Sequence, residues 1–272
     1  MKRKPLLTTN NAKTIKGEKT KDNIYGLPYR TYILYMSPFN QNSKGVNLCS
    51  HASKGCSESC LFTSGNGGMF SDVKQGRINK SEYFLSNRIE FLNQLRLEIE
   101  KYVKKNIGIA IPTFRLNGTT DIAYERFRIF NGKNIFELFP NVQFYDYTKN
   151  WTRFNTELPS NYNLTFSRSE VNHDKCMELL AKGVNVAMVF TKVPNKFLGY
   201  EVINADKDDL RFLDKKGVIC GLKYKNLTGK GADNTKGVLS GFVINTTKEY
   251  TDYVNNIKSL VKRIKKNYVE FA

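Results

Sequence analysis

Cys49, Cys56 and Cys60 fall in one short stretch, NLCSHASKGCSESCLFTSGNGG, with spacing C-x6-C-x3-C and His51 two residues after the first cysteine. Thiolates are metal ligands and nucleophiles, and the surrounding Gly, Ser and Asn make a loop able to wrap an ion. Three readings are open. The thiols are unrelated to one another, with at most one adventitious disulfide. Alternatively, Cys49, His51, Cys56 and Cys60 close a four-ligand structural zinc site, although a ligand pair at i and i+2 is cramped. In the third reading the three thiolates hold an iron–sulfur cluster of the 4Fe-4S type, whose remaining iron is open for chemistry. Cys176, in KCMELLAKG, and Cys220, in GVICGLKY, are isolated and read as small core residues.

The other chemistry-bearing residues stand at the ends of apolar runs. IGIAIPTFRLNGTTDI (107–122) ends in Arg115, Asn117, Gly118, Thr119 and Asp121. NVQFYDYTKN (141–150) ends in Tyr145, Asp146, Tyr147 and Lys149, and YNLTFSRSE (162–170) in Ser167, Arg168 and Glu170. Alternation along a strand puts Asp146 on one face and the two tyrosines on the other, and Asp146 is expected to face away from the helices. Arg115 and Arg168 can each grip a phosphate bidentately. His173 is expected near the first turn of a helix, on the surface. With two histidines in the chain, no imidazole relay and no Ser-His-Asp signature is legible.

Elements of alternating type must position these groups. Further strands are expected at 31–37, 184–190, 200–206, 217–225 and 241–245. Asn79 with Glu82 reads as the capping box of a long helix running to about Lys104, with Phe84, Phe91, Leu95, Ile99 and Tyr102 on its apolar side. A weak helical signal covers 134–139, and further helices are expected over about 171–182, with Gly183 as its stop, and about 247–268, with Tyr250, Val254, Ile257, Val261 and Ile264 on one side. Strand–helix alternation argues for parallel βαβ units, and polar residues at several strand ends argue for a complete or partial (β/α) barrel with one functional mouth. Residues 1–24 read as a basic, solvated arm and 25–272 as a single barrel-like domain.

The chain has 272 residues, with 43 Lys and Arg against 25 Asp and Glu, a net charge of +18. That excess suits a polyanionic partner, a nucleic acid or nucleotide, through phosphate neutralisation. There is no G-x-G-x-x-G after the first strand and no P-loop, which removes the ordinary dinucleotide and nucleoside-triphosphate folds. No long apolar window or secretory leader is legible, so no membrane partner and a cytoplasmic location are expected.

A three-thiolate loop after the first strand of a barrel resembles, in plan, the radical S-adenosylmethionine enzymes. Their usual spacing is C-x3-C-x2-C, from which this chain departs. That resemblance implies an iron–sulfur cluster with S-adenosylmethionine as cofactor, held by positions matching Asn117, Gly118, Thr119, Ser167 and Glu170. Arg115, Asp121, Asp146 and Lys149 would then bind substrate or move protons. Through TNNAKTIKGEK, YILYMSP, the cysteine loop, RLNGTTDI, FYDYTKN and LTFSRSE, the chain also resembles an uncharacterised family of bacteriophage proteins. This implies a phage origin and no particular activity. Two other classes compete. One is a zinc-stabilised nucleic-acid-binding protein or nuclease holding a divalent cation on Asp121, Asp146, Glu170, Asp206 and Asp209. The other is a non-catalytic DNA-binding protein.

Overall fold

A computed structural model describes residues 4–8, 12–60, 70–225, 233 and 235–247, with isolated positions at 255 and 259. Nine described strands form one sheet: β1 (Leu7–Thr8), β2 (Tyr29–Leu34), β3 (Ile111–Arg115), β4 (Gln143–Thr148), β5 (Tyr162–Ser167), β6 (Val186–Phe190), β7 (Lys196–Phe197), β8 (Tyr200–Asn204) and β9 (Ile219–Lys223). Their order is β1-β2-β3-β4-β5-β6-β9-β8-β7, with β1 and β7 antiparallel to their neighbours and the rest parallel. The protein is therefore mixed α/β. The described strands make an open sheet with β1 and β7 at its edges.

Among the described residues six α-helices accompany the sheet: α1 (Ala12–Gly17), α2 (Lys54–Glu58), α3 (Ser71–Ser86), α4 (Arg88–Asn106), α5 (His173–Ala181) and α6 (Lys236–Leu239). Parallel register aligns Tyr32, Phe114, Phe144 and Tyr162 on one face. Phe84 of α3 and Phe91, Leu95 and Ile99 of α4 join them in one buried cluster. Phe166 and Val186 continue that face and meet Cys176, Leu179 and Leu180 of α5. The three longer helices thus cover one face of the sheet. The opposite face carries Thr31, Thr113, Arg115, Tyr145, Tyr147, Thr165 and Ala187, and residues 205–213 pack over part of it.

Several expectations change. The long helix begins at Ser71 and breaks at Asn87 (φ −137°), so Asn79 and Glu82 do not start it. Glu82 instead accepts hydrogen bonds from the Ser43 backbone N–H and hydroxyl. Residues 134–139 form turns, because Asn134 Oδ1 takes the Phe136 and Glu137 amides and diverts the backbone from helical pairing. The run 241–245 contributes only a single parallel bridge, Phe190 to Ile244. The helix expected at 247–268 lies outside the described residues, apart from Thr247 and the isolated positions 255 and 259. The described part of the amino-terminal arm is docked. Leu6 and Leu7 are buried, and the amides of this edge segment donate to the Glu98 carboxylate at 2.9 Å. Two adjacent leucines supply the apolar surface, and Glu98 satisfies amides that a sheet edge would leave unpaired.

Candidate functional site

The cysteine loop lies over the carboxyl-terminal edge of the parallel strands. Its entry is fixed by the Asp121 amide, which donates to the Leu48 carbonyl at 2.9 Å. Its middle is fixed by Glu170, just past β5. One Glu170 oxygen accepts from Ser53 Oγ and the other from the Gly55 amide, both at 2.7 Å. These bonds outweigh burial and hold the carboxyl below the ordinary carboxylate range. Ser53 also caps α2, accepting from the Cys56 amide at 3.3 Å. Gly55 and Gly237 let α2 and α6 approach closely. A Cβ on Gly55 would lie 2.9 Å from Phe242 Cβ and closer still to Ser240 Oγ, and one on Gly237 would lie 2.5 Å from Ser59 Oγ.

The three cysteines are thiols outside any disulfide among the described residues, and they are half-buried. Burial pushes the Cys49 thiol up to about 12. Lys149 pulls against this, while Asp121, Cys56 and Cys60 add to it, so the three sulfurs lie within electrostatic reach. Lys149 stands between this loop and β5, with Nζ donating to Ser167 Oγ at 2.9 Å. Burial opposes its charge, but Cys56, Cys49 and Asp121 outweigh burial and hold the ammonium above its ordinary value. Thus Lys149 links the electrostatic surroundings of Cys49 and Cys56 to Ser167 at the end of β5. Among the described residues, no group of three or more His, Cys, Asp or Glu side chains is arranged to hold a metal ion. His51 is exposed and its Nδ1 meets Ser50 Oγ at 3.1 Å.

The other expected site residues serve largely to build this edge. Asp146 lies on the helix-covered face, opposite to the expected side, and is 1% exposed. It accepts from the Asn117 amide at 2.9 Å, the Leu116 amide at 3.3 Å and the Tyr162 hydroxyl at 3.1 Å. Burial raises it to about 6 despite Arg115, Arg153 and these bonds. Alternation separates Asp146 from its tyrosines, but only the unpaired amides after β3 decide which face it takes. Asn117 is spent on the same turn, accepting from Thr120 Oγ1 and the Ile122 amide and donating to the Ile122 carbonyl. A Cβ on Gly118 would lie 2.6 Å from Ile33 Cγ2, so this glycine is required by close packing. Thr119 Oγ1 donates to the Met36 carbonyl. Asp121 accepts from Thr148 Oγ1 and the Lys149 amide, both at 2.7 Å, and from Arg153.

Both candidate phosphate-gripping arginines are partly engaged inside the fold, which leaves neither a whole guanidinium fork for a phosphate. Arg115 Nη1 pairs with Asp209 Oδ2 at 2.5 Å, and Arg168 Nη1 donates to the carbonyls of Gly241 and Phe242. Asp146 and Asp209 sit on opposite faces of the sheet, so the five carboxylates considered for a nuclease do not converge. His173 opens α5, half-buried, and burial together with Arg168 lowers its pKa.

Sequence reasoning missed Arg153, which is 1% exposed and joins Asp121 and Glu125. It also missed Gly55, although a glycine inside a metal-capable loop signals close backbone approach. The profile of the Gene product 88 family matches residues 5–241. The chain belongs to the Gene product 88 family. This agrees with the phage-type resemblance, and the match runs from the docked arm through α6. No curated protein and no solved structure shows significant similarity to this Gene product 88 chain. No helix among its described residues is long and apolar enough to cross a membrane.

Proposed function

We propose that this Gene product 88 protein is a metal-binding phage protein in which the thiolates of Cys49, Cys56 and Cys60 hold an iron–sulfur cluster at the mouth of a partial (β/α) barrel, acting on a nucleotide or nucleic acid. The observation that carries the reading is that Cys56, Cys60 and Lys149 lie within electrostatic reach of the Cys49 sulfur, in a loop bracketed at the carboxyl-terminal edge of the strands. The sequential order β2 to β6, with α3, α4 and α5 on one face, supports the barrel part. A doubly wound sheet would carry helices on both faces. The net charge of +18 supports a polyanionic partner.

The donor set suits a soft metal. In the metal-free fold the Cys49 thiolate is costly, and a bound cation removes that cost by taking the proton's place. Loading requires the loop to draw its thiols together, because they are not arranged as ligands in the described fold. A cluster there would supply one iron open to a further ligand. Lys149 would offset the negative charge of the thiolates, and Glu170 would hold the loop against β5. S-adenosylmethionine fits less well. Asn117, Thr119 and Glu170 already spend polar groups inside the fold, and no step is derived through that cofactor. The test is a substitution series. Cys49→Ala, Cys56→Ala and Cys60→Ala should each lower bound metal, whereas Cys176→Ala and Cys220→Ala should not. Equal retention across all five variants would remove the loop as the ligand set.

A further inference from the structure

The sheet face turned away from the helices carries buried polar atoms that no described residue uses. Tyr147 and Thr165 are paired in register on β4 and β5. Arg115, which ends β3, has its guanidinium carbon 5.0 Å from the centre of the Tyr147 ring. The Tyr147 hydroxyl, Thr165 Oγ1 and Arg115 Nε are buried and have no hydrogen-bond partner among the described residues. Thr165 is 0% exposed and Arg115 9%. Other polar groups on the strands of this face have partners, and Arg211, which packs over it, is ion-paired with Asp208 and Asp214. Thr31 Oγ1 meets Thr113 Oγ1 at 2.9 Å and the Tyr145 hydroxyl at 3.0 Å, and Arg115 Nη1 holds Asp209. An unpaired buried polar atom is costly, and native folds keep few of them. Three neighbours on one face call for a partner from outside the chain.

Their place in the sheet points the same way. One step further along β4 and β5, on the same face, the Lys149 ammonium donates to Ser167 Oγ. Ligands of parallel α/β sheets bind at this edge. We propose that Arg115, Tyr147 and Thr165, with Lys149 and Ser167 above them, form a binding site for the oxyanion group, phosphate or carboxylate, of a small molecule. Two cationic side chains and three hydroxyls offer N–H and O–H donors, while Asp209, a carboxylate beside them, is already committed to Arg115. Burial, with Asp209 close by, keeps the Tyr147 phenol protonated and able to donate. Phe212 closes the lower part of this face against Tyr145 and Tyr29, with ring centres 5.2 and 5.3 Å apart, which leaves the cysteine-loop edge as the approach. The inference stands on the sheet face and does not require a metal on the cysteines.

The experiment follows the thermal midpoint of the full chain during titration with inorganic phosphate and, separately, acetate, against chloride at equal ionic strength. A saturable rise with phosphate alone assigns a phosphate group, and a rise with acetate alone assigns a carboxylate. Thr165→Val and Tyr147→Phe keep shape while deleting the unpartnered oxygens, and each should raise the half-saturating concentration about tenfold. Ser167→Ala carries the same expectation where either of those fails to fold. The response should persist in Cys56→Ala, which separates this site from the metal reading. No rise above chloride with either anion, or an unchanged response in the hydroxyl-deleted variants, overturns the proposal.

Discussion

Replacing Glu170 by alanine should loosen the cysteine loop without touching any cysteine. The carboxylate accepts two hydrogen bonds at 2.7 Å, from Ser53 Oγ and the Gly55 amide, and nothing else described ties the start of α2 to the end of β5 as directly. Bonds to a charged acceptor contribute about 1.5–3 kcal/mol each when buried. Glu170 is only half-buried, so water competes, and the pair together is worth about 2 kcal/mol. The folded carboxyl titrates below its ordinary value, so this contribution is present above about pH 4.3 and fades as pH falls through the lower folded value. Urea unfolding at pH 7 should show the loss, and thiol-reagent kinetics should show faster modification of Cys49, Cys56 and Cys60, with buried Cys176 and Cys220 unchanged. Wild-type stability together with wild-type thiol kinetics would refute the assignment of Glu170 as the bracket of the loop.

Gly55→Ala places a methyl group against Ser240 and Phe242 and should cost about 1–3 kcal/mol in urea unfolding through overpacking, with α2 separating from α6. Unchanged stability would show that the contact relaxes freely. Asp146 gives a pH signature. Its folded pKa, about 6, lies above the unfolded value of about 3.9, so its stabilising contribution is complete below about pH 4 and is lost as pH rises through 6. About two units correspond to about 3 kcal/mol. Asp146→Asn should remove that part of the decline in stability between pH 4 and 7, leaving any decline from Asp214, which burial also raises to about 6. An unaltered decline would contradict it.

Much of this architecture is legible in the residue pattern, because period and punctuation report it directly. The near-continuous apolar run ending at Phe190 gives β6, the repeat Phe91, Leu95, Ile99 gives the buried side of α4, and Gly183, at φ +82°, stops α5. The cysteine loop stands out because three thiols in a Gly/Ser stretch have little structural reason to cluster. What stays hidden depends on partners distant in sequence. Nothing local tells that Arg115 will find Asp209, that Arg153 will be buried by Asp121 and Glu125, or that Glu170 will be spent on Ser53. The docking of Leu6 and Leu7 is hidden for the same reason, since Glu98 lies 92 residues from Leu6. Asp146 shows the limit most sharply: a two-residue period separates its face from that of Tyr145 and Tyr147, while a turn on another strand decides which face is which.

The account rests on a metal held by the three clustered thiols, and elemental analysis of the anaerobically purified full chain addresses it most directly. It predicts iron and acid-labile sulfide in equal, stoichiometric amounts, a brown absorbance, and loss of all three in Cys56→Ala. Stoichiometric zinc without sulfide would replace the iron–sulfur cluster with a structural zinc site. Protein free of both metals, or one whose metal content is untouched by Cys56→Ala, would contradict the account.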